Sequence, residues 1–204
     1  MSAIRLIAGL GNPGPRFEGT RHNVGAHFVE ALARRYGIAL KEEPRFKGML
    51  GRGDILGHDV RLMIPTTFVN LSGEAIGALA AFYKIPVGEI LLVHDEMAFD
   101  VGVVRLKLGG GDNGHNGIRS VVQGLGNQTG FLRLRIGVAH PGHADLVTPY
   151  LTGTRMPLEE REAIDAASDL PESILAHMLA GEVDKTMNVL HAPPTGDANE
   201  APED

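Results

Sequence analysis

The sequence predicts an α/β fold, a single domain with a mixed central β-sheet and helices on both faces, and three observations carry that prediction. Short apolar runs at 4–10 and 90–93, and alternating runs at 103–108 and 132–138, have the length and period of strands. Amphipathic stretches with helical spacing separate them, and interleaved strands and helices fold as layers around one sheet. Polar residues recur just past strand ends and at helix starts, where open α/β sheets form their ligand crevices. With 204 residues and 43% hydrophobic content, the chain suits one large domain better than two small ones. We assign 1–191 to that domain and 192–204 to a tail.

In chain order, residues 4–10 read as a buried strand ended by Gly11-Asn12-Pro13-Gly14. Val24, Phe28, Ala31 and Leu32 then mark one face of a helix that begins near 21–23 and stops at Gly37. Residues 47–56 and 59–64 form a strand pair joined through Gly57-His58 and closed by Pro65. Asn70-Leu71-Ser72-Gly73-Glu74 opens an amphipathic helix carrying Ile76, Leu79, Ala80 and Tyr83. The apolar strand at 90–93 leads directly to His94-Asp95-Glu96. A strand at 103–108, a glycine loop, a helix over 116–123 and a strand at 132–138 follow, and after Pro157 the chain reads as two helices up to Leu190.

The chain has no cysteine, which removes disulfides, zinc–cysteine clusters and a thiol nucleophile. No signal-peptide pattern or membrane-length apolar run is present, so we expect a soluble, cytoplasmic protein. Much of the net charge of −6 comes from Asp197, Glu200, Glu203 and Asp204, which with Pro193, Pro194 and Pro202 read as a solvated, disordered acidic tail. Between Val101 and His143 the balance reverses, with Arg105, Lys107, Arg119, Arg133 and Arg135 against Asp112 alone. That segment reads either as a phosphate-contacting patch or as ordinary solvent-facing strand cations.

Two glycine-crowded stretches each lead to a His-Asn pair. Residues 9–14 run on to Thr20-Arg21-His22-Asn23, and residues 109–114 run into His115-Asn116. Glycine lets a backbone turn closely around a ligand, and imidazole, with an ordinary pKa of about 6.5, is suited to moving protons near neutrality. Both stretches match G-x-G-x-x-G, but Pro15 and Gly19 interrupt the helix that a dinucleotide fingerprint requires at its third glycine. No Walker A sequence or G-x-S-x-G elbow occurs, and no H-E-x-x-H pair gives the nine histidines a metal-site spacing, so we expect no metal. What remains is an imidazole steered by a carboxylate and acting on water, with His22 as base and Asp95 as partner. Taken singly, Asp95 also reads as a turn former and His22 as a loop histidine; with Asn12, Asn70 and Asn116 they can share one crevice.

At these residues the chain resembles the bacterial peptidyl-tRNA hydrolase family. The resemblance runs through Gly9-Leu10-Gly11-Asn12-Pro13-Gly14, Thr20-Arg21-His22-Asn23, Pro65-Thr66-Thr67-Phe68-Val69-Asn70-Leu71-Ser72-Gly73, His94-Asp95-Glu96, Gly114-His115-Asn116-Gly117 and Arg133-Leu134-Arg135-Ile136-Gly137. It implies a monomeric enzyme that needs no cofactor and cleaves the ester between a peptide and the terminal ribose of tRNA released prematurely from the ribosome. By motif position, His22, Asp95 and Asn116 are then catalytic: base, orienting carboxylate and amide donor or water holder. Asn12, Phe17, Phe68, Asn70 and Asn116 contact substrate, Asn12 sensing the peptide and helping to discriminate against free aminoacyl-tRNA. Lys107 and Arg135 receive the tRNA's terminal phosphate. Phe17 stands where the family usually has tyrosine and Val69 where it usually has methionine, and Asp112 adds a negative charge to the second glycine loop. The competing reading is an RNA-binding relative without catalysis, which would have no use for a general base.

Overall fold

The computed structural model describes residues 2–192, so the acidic tail lies, from 193 on, outside the described residues. In chain order the elements are β1 (Leu6–Gly9), α1 (Val24–Arg35), β2 (Lys41–Glu43), β3 (Gly48–Ile55), β4 (His58–Pro65), α2 (Ser72–Phe82), β5 (Ile90–Glu96), β6 (Val104–Leu108), α3 (Asn116–Gly124), β7 (Leu132–Gly137), α4 (Leu158–Ser168), α5 (Glu172–Leu179) and α6 (Val183–Leu190). The seven strands make one mixed sheet in the order β2-β3-β4-β1-β5-β7-β6. The four central strands, β4 to β7 in that order, are mutually parallel, while β2, β3 and β6 run antiparallel to their neighbours.

Strand periodicity builds the two-sided core, because successive side chains leave a strand on opposite faces. Ile7, Leu91, Val93 and Leu134 bury one face against Val24, Phe28 and Leu32 of α1, Ile164 of α4 and Leu175 of α5. Leu6, Ala8, Ile90 and Leu92 bury the other against Ile76 and Leu79 of α2 and Ile118 and Val121 of α3. The sheet edges are protected by different means. At one end Lys41, Glu42 and Glu43 of β2 are all exposed charges. At the other, the Leu106 N–H of β6 donates to His191 Nε2 at 2.9 Å, so the chain beyond α6 caps the free edge.

Three expectations are corrected. The segment after Pro157 forms three helices, since chain turns at 169–171 and 180–182 split it twice. A three-residue strand, β2, lies where the sequence predicts none, because three consecutive charges carry no apolar alternation. Strand β5 continues through Glu96, which places Asp95 inside the sheet and 2% exposed.

Parallel order brings the carboxyl ends of β4, β1 and β5 to one rim, and α1 starts there in unusually close contact. A Cβ at Gly25 would stand 2.2 Å from the Val93 carbonyl oxygen, and one at Gly9 would stand 2.2 Å from the Gly25 carbonyl oxygen. Only glycine at both positions permits this approach, which sets the turn at Arg21–Asn23 directly over the end of β5. The buried Arg21 fixes that turn from behind, donating from Nε and NH2 to Glu160 of α4 at 3.0 Å each and stacking on Tyr150 with its Cζ 3.8 Å from the ring centre.

Candidate active site

On this rim lies a cleft of about 380 Å³, lined by Asn12, Phe17, His22, Phe68, Asn70, Asp95 and Asn116 together with His115 and Val69. Seven of the nine residues singled out from the sequence thus meet in one place. The two that do not are Lys107 and Arg135, which line a separate, more open groove of about 740 Å³ between β6, β7 and α6.

The cleft is organised around one carboxylate oxygen. Asp95 Oδ1 lies 2.8 Å from His22 Nδ1 and 2.9 Å from His115 Nε2, and the two imidazoles face each other with ring centres 5.0 Å apart. Sequence reasoning placed His115 in a motif without giving it this part. Its tautomer follows from its position as N-cap of α3, where its Nδ1 accepts from the Gly117 N–H at 3.1 Å and the Ile118 N–H at 3.4 Å. The ring proton therefore sits on Nε2 and is donated to Asp95. His22 donates from Nδ1 to the same oxygen, which leaves its Nε2 lone pair as the free basic site.

Burial works against charge on both partners, and their mutual attraction overcomes it. Desolvation alone would lower the His22 pKa, yet the Asp95 carboxylate raises it above the ordinary imidazole value. Burial would raise the Asp95 pKa, yet His22 and His115 hold it well below the usual carboxylate range. His22, Asp95 and His115 also put three potential metal-ligating atoms within 4.8 Å of one another. The tautomer argues against a metal there, because an ion on His115 Nε2 would need a proton on Nδ1, which already faces two backbone donors.

Two of the asparagines are held by their side-chain oxygens. Asn12 Oδ1 accepts from the Val69 N–H at 2.8 Å, and its main chain is clasped by the buried Asn23, whose Oδ1 accepts from the Asn12 N–H and whose Nδ2 donates to the Asn12 carbonyl, both at 2.9 Å. Asn116 Oδ1 accepts from Arg119 NH1 at 3.3 Å. Asn12 and Asn116 therefore each keep an amide NH2 for a further partner. Asn70 is exposed in the short turn Val69–Leu71 that precedes α2. Phe17 and Phe68 meet edge to face, with ring centres 6.1 Å apart at 86°, and Phe68 is half exposed. Val69 does more than supply a wall: its main chain anchors Asn12, and its side chain packs so near Gly117 that a Cβ there would lie 2.5 Å from Val69 Cγ1.

The cation segment divides in two. Arg133 is 1% exposed and so is neither a solvent-facing cation nor part of a phosphate-contacting surface. Its Nε donates to His94 Nε2 at 3.1 Å, and its NH1 donates to the carbonyls of Gly109 at 3.3 Å and Gly111 at 2.8 Å. His94 in turn donates from Nδ1 to the Asp95 carbonyl at 2.7 Å, so the guanidinium ties the second glycine loop to the strand that carries the carboxylate. Burial, then the nearby His115 and Arg133, keep the His94 pKa well below the ordinary value, which suits an imidazole that accepts from a cation. Asp112 is not a free negative charge: Arg119 Nε donates to its Oδ2 at 3.0 Å, and the Gly114 N–H donates to its Oδ1 at 2.8 Å.

A family model described as peptidyl-tRNA hydrolase matches residues 6–199. Proteins named peptidyl-tRNA hydrolase from Pseudomonas paraeruginosa and Pseudomonas savastanoi pv. phaseolicola are 49% and 50% identical over 192 residues, covering 94% of this chain and 98% of each relative. The crystal structure of peptidyl-tRNA hydrolase from Acinetobacter baumannii shares 45% identity with a TM-score of 0.89, covering 94% of this chain and 96% of that one.

Proposed function

This chain belongs to the peptidyl-tRNA hydrolase family and is an enzyme that hydrolyses peptidyl-tRNA, and we propose that it does so by general-base activation of water at His22. The observation that carries this reading is the 2.8 Å contact from His22 Nδ1 to Asp95 Oδ1, which occupies one ring nitrogen and leaves the other to take a proton. Nε2 removes a proton from a water in the cleft, and the water oxygen attacks the ester carbonyl of the peptide. The developing oxyanion receives a hydrogen bond from the Asn116 amide NH2. Collapse of the tetrahedral species breaks the bond to the ribose oxygen, which takes its proton back from His22. The tRNA leaves with a free hydroxyl and the peptide as a carboxylic acid, which releases its proton to solvent and becomes a carboxylate. An ester needs no more activation than a base and an oxyanion donor, so the route uses neither metal nor cofactor.

Substrate recognition divides between the two cavities. Asn12 and Asn70 hold the peptide's main-chain amides, Asn12 thereby favouring N-blocked over free aminoacyl-tRNA, while Phe17 and Phe68 offer apolar faces at the entrance. Lys107 and Arg135 take the terminal tRNA phosphate in the neighbouring groove. Among the described residues no helix is long and apolar enough to cross a membrane. We assign the enzyme to the cytoplasm as a monomer. The decisive test is turnover of N-acetyl-aminoacyl-tRNA against free aminoacyl-tRNA by the wild type and by His22→Ala. The variant is expected to lose a factor of about 10²–10⁴ while remaining folded at the assay temperature; full activity in it would refute the base.

A further inference from the structure

The geometry points to Asp112 and Arg119 as positioning residues that turn the Asn116 carboxamide so that its NH2, not its oxygen, meets the ester. This rests on the oxyanion role proposed above for Asn116. Asn116 and Arg119 are three residues apart on α3, the spacing that makes helix side chains neighbours. Arg119 NH1 reaches Asn116 Oδ1 at 3.3 Å, and Arg119 is held in turn by Asp112, with Nε to Oδ2 at 3.0 Å and NH2 to Oδ1 at 3.5 Å. Asp112 is itself fixed by its loop, since its Oδ1 accepts from the Gly114 N–H and its main-chain carbonyl accepts from the His115 N–H, both at 2.8 Å.

A guanidinium has donors and no acceptor, so it can face only the oxygen end of a carboxamide. The last torsion of asparagine is broad and two-fold, and without such a partner the amide is free to turn and present its oxygen to the cleft. An oxygen lone pair pointed at a forming oxyanion opposes catalysis, whereas a donor already in place stabilises it with no reorganisation at the moment of reaction. Arg119 and Asp112 have side chains 52% and 30% exposed, and exposed pairs contribute little to stability. What the pair supplies is therefore orientation, and its removal leaves the fold intact.

The test is a double-mutant cycle on N-acetyl-aminoacyl-tRNA, with Arg119→Ala, Arg119→Lys and Asp112→Asn made in the wild type and in Asn116→Ala. Arg119→Ala is expected to lower kcat about tenfold with KM nearly unchanged, and to cost nothing further once Asn116 is alanine. Arg119→Lys, which keeps a donor but not the fork, falls between, and Asp112→Asn loses about threefold in kcat. A loss by Arg119→Ala that persists in full in the Asn116→Ala background overturns the proposal. So does a rise in KM at constant kcat with a shallower salt dependence, which would make Arg119 a phosphate contact. If Asn116→Ala alone retains wild-type kcat, the oxyanion role fails first and the positioning role with it.

Discussion

The cleft and the groove beside β6 are both lined with polar side chains, and they differ in how those side chains are held. In the cleft, the proposed base and two of the proposed amide donors are tied down at their other ends: His22 by Asp95, Asn12 by the Val69 N–H, Asn116 by Arg119. In the groove, Arg135 stacks on Phe99 and lies 3.7 Å from Glu96, and its buried Nε has no hydrogen-bond partner among the described residues. An ester reacting with water demands atoms fixed to fractions of an ångström, because donors that must reorganise during the reaction lose most of their value. A phosphate spreads its charge over several oxygens and is satisfied by cations that retain some freedom, at a gain that salt can screen.

The difference is broken most severely at Asp95. Asp95→Asn should cost about 10²–10⁴ in kcat, because it removes both the charge that stabilises the imidazolium and the acceptor that fixes the His22 tautomer. Single-turnover rates at saturating substrate check this, and a loss confined to KM would contradict it.

Next in size is the pH response. As the proposed base, His22 must be neutral to act, and its pKa is raised, so kcat/KM should fall as pH drops through an inflection above the ordinary imidazole value of about 6.5. In the residual activity of Asp95→Asn, that inflection should move to lower pH. An unmoved inflection would assign it to another group.

The groove is probed by Lys107→Ala, for which we expect a KM for tRNA substrates several-fold higher and a salt slope smaller by about 0.7–0.9, with short esters unaffected. Equal losses on both substrate types would make Lys107 structural.

The smallest effect is on stability. The His22 pKa is raised by folding, so its contribution is fully present below the unfolded value and is lost as pH rises through the folded one. The Asp95 pKa is depressed, so its contribution is present above the unfolded value and is lost as pH falls through the folded one. The pair therefore stabilises most between the two unfolded values, from about pH 4 to about pH 6.5. His22→Ala should lower the melting temperature more at pH 6 than at pH 9, and an equal loss at both would remove the ion-pair account.

The sequence alone determined the two-sided sheet, because the continuous apolar run at Leu6, Ile7 and Ala8 and the alternation at Leu132, Arg133 and Leu134 are local signals. It also determined which polar residues stand at strand ends and helix starts, and so which of them meet in the cleft. Tertiary structure decided how they are wired. His22 and Asp95 lie 73 residues apart, Arg133 and His94 39 apart, and no periodicity records a hydrogen bond across such a distance. The burial of Arg133, the proton on His115 Nε2 and the pairing of Asp112 with Arg119 are all answers to one question that only the folded chain poses, namely where each polar group finds its partner.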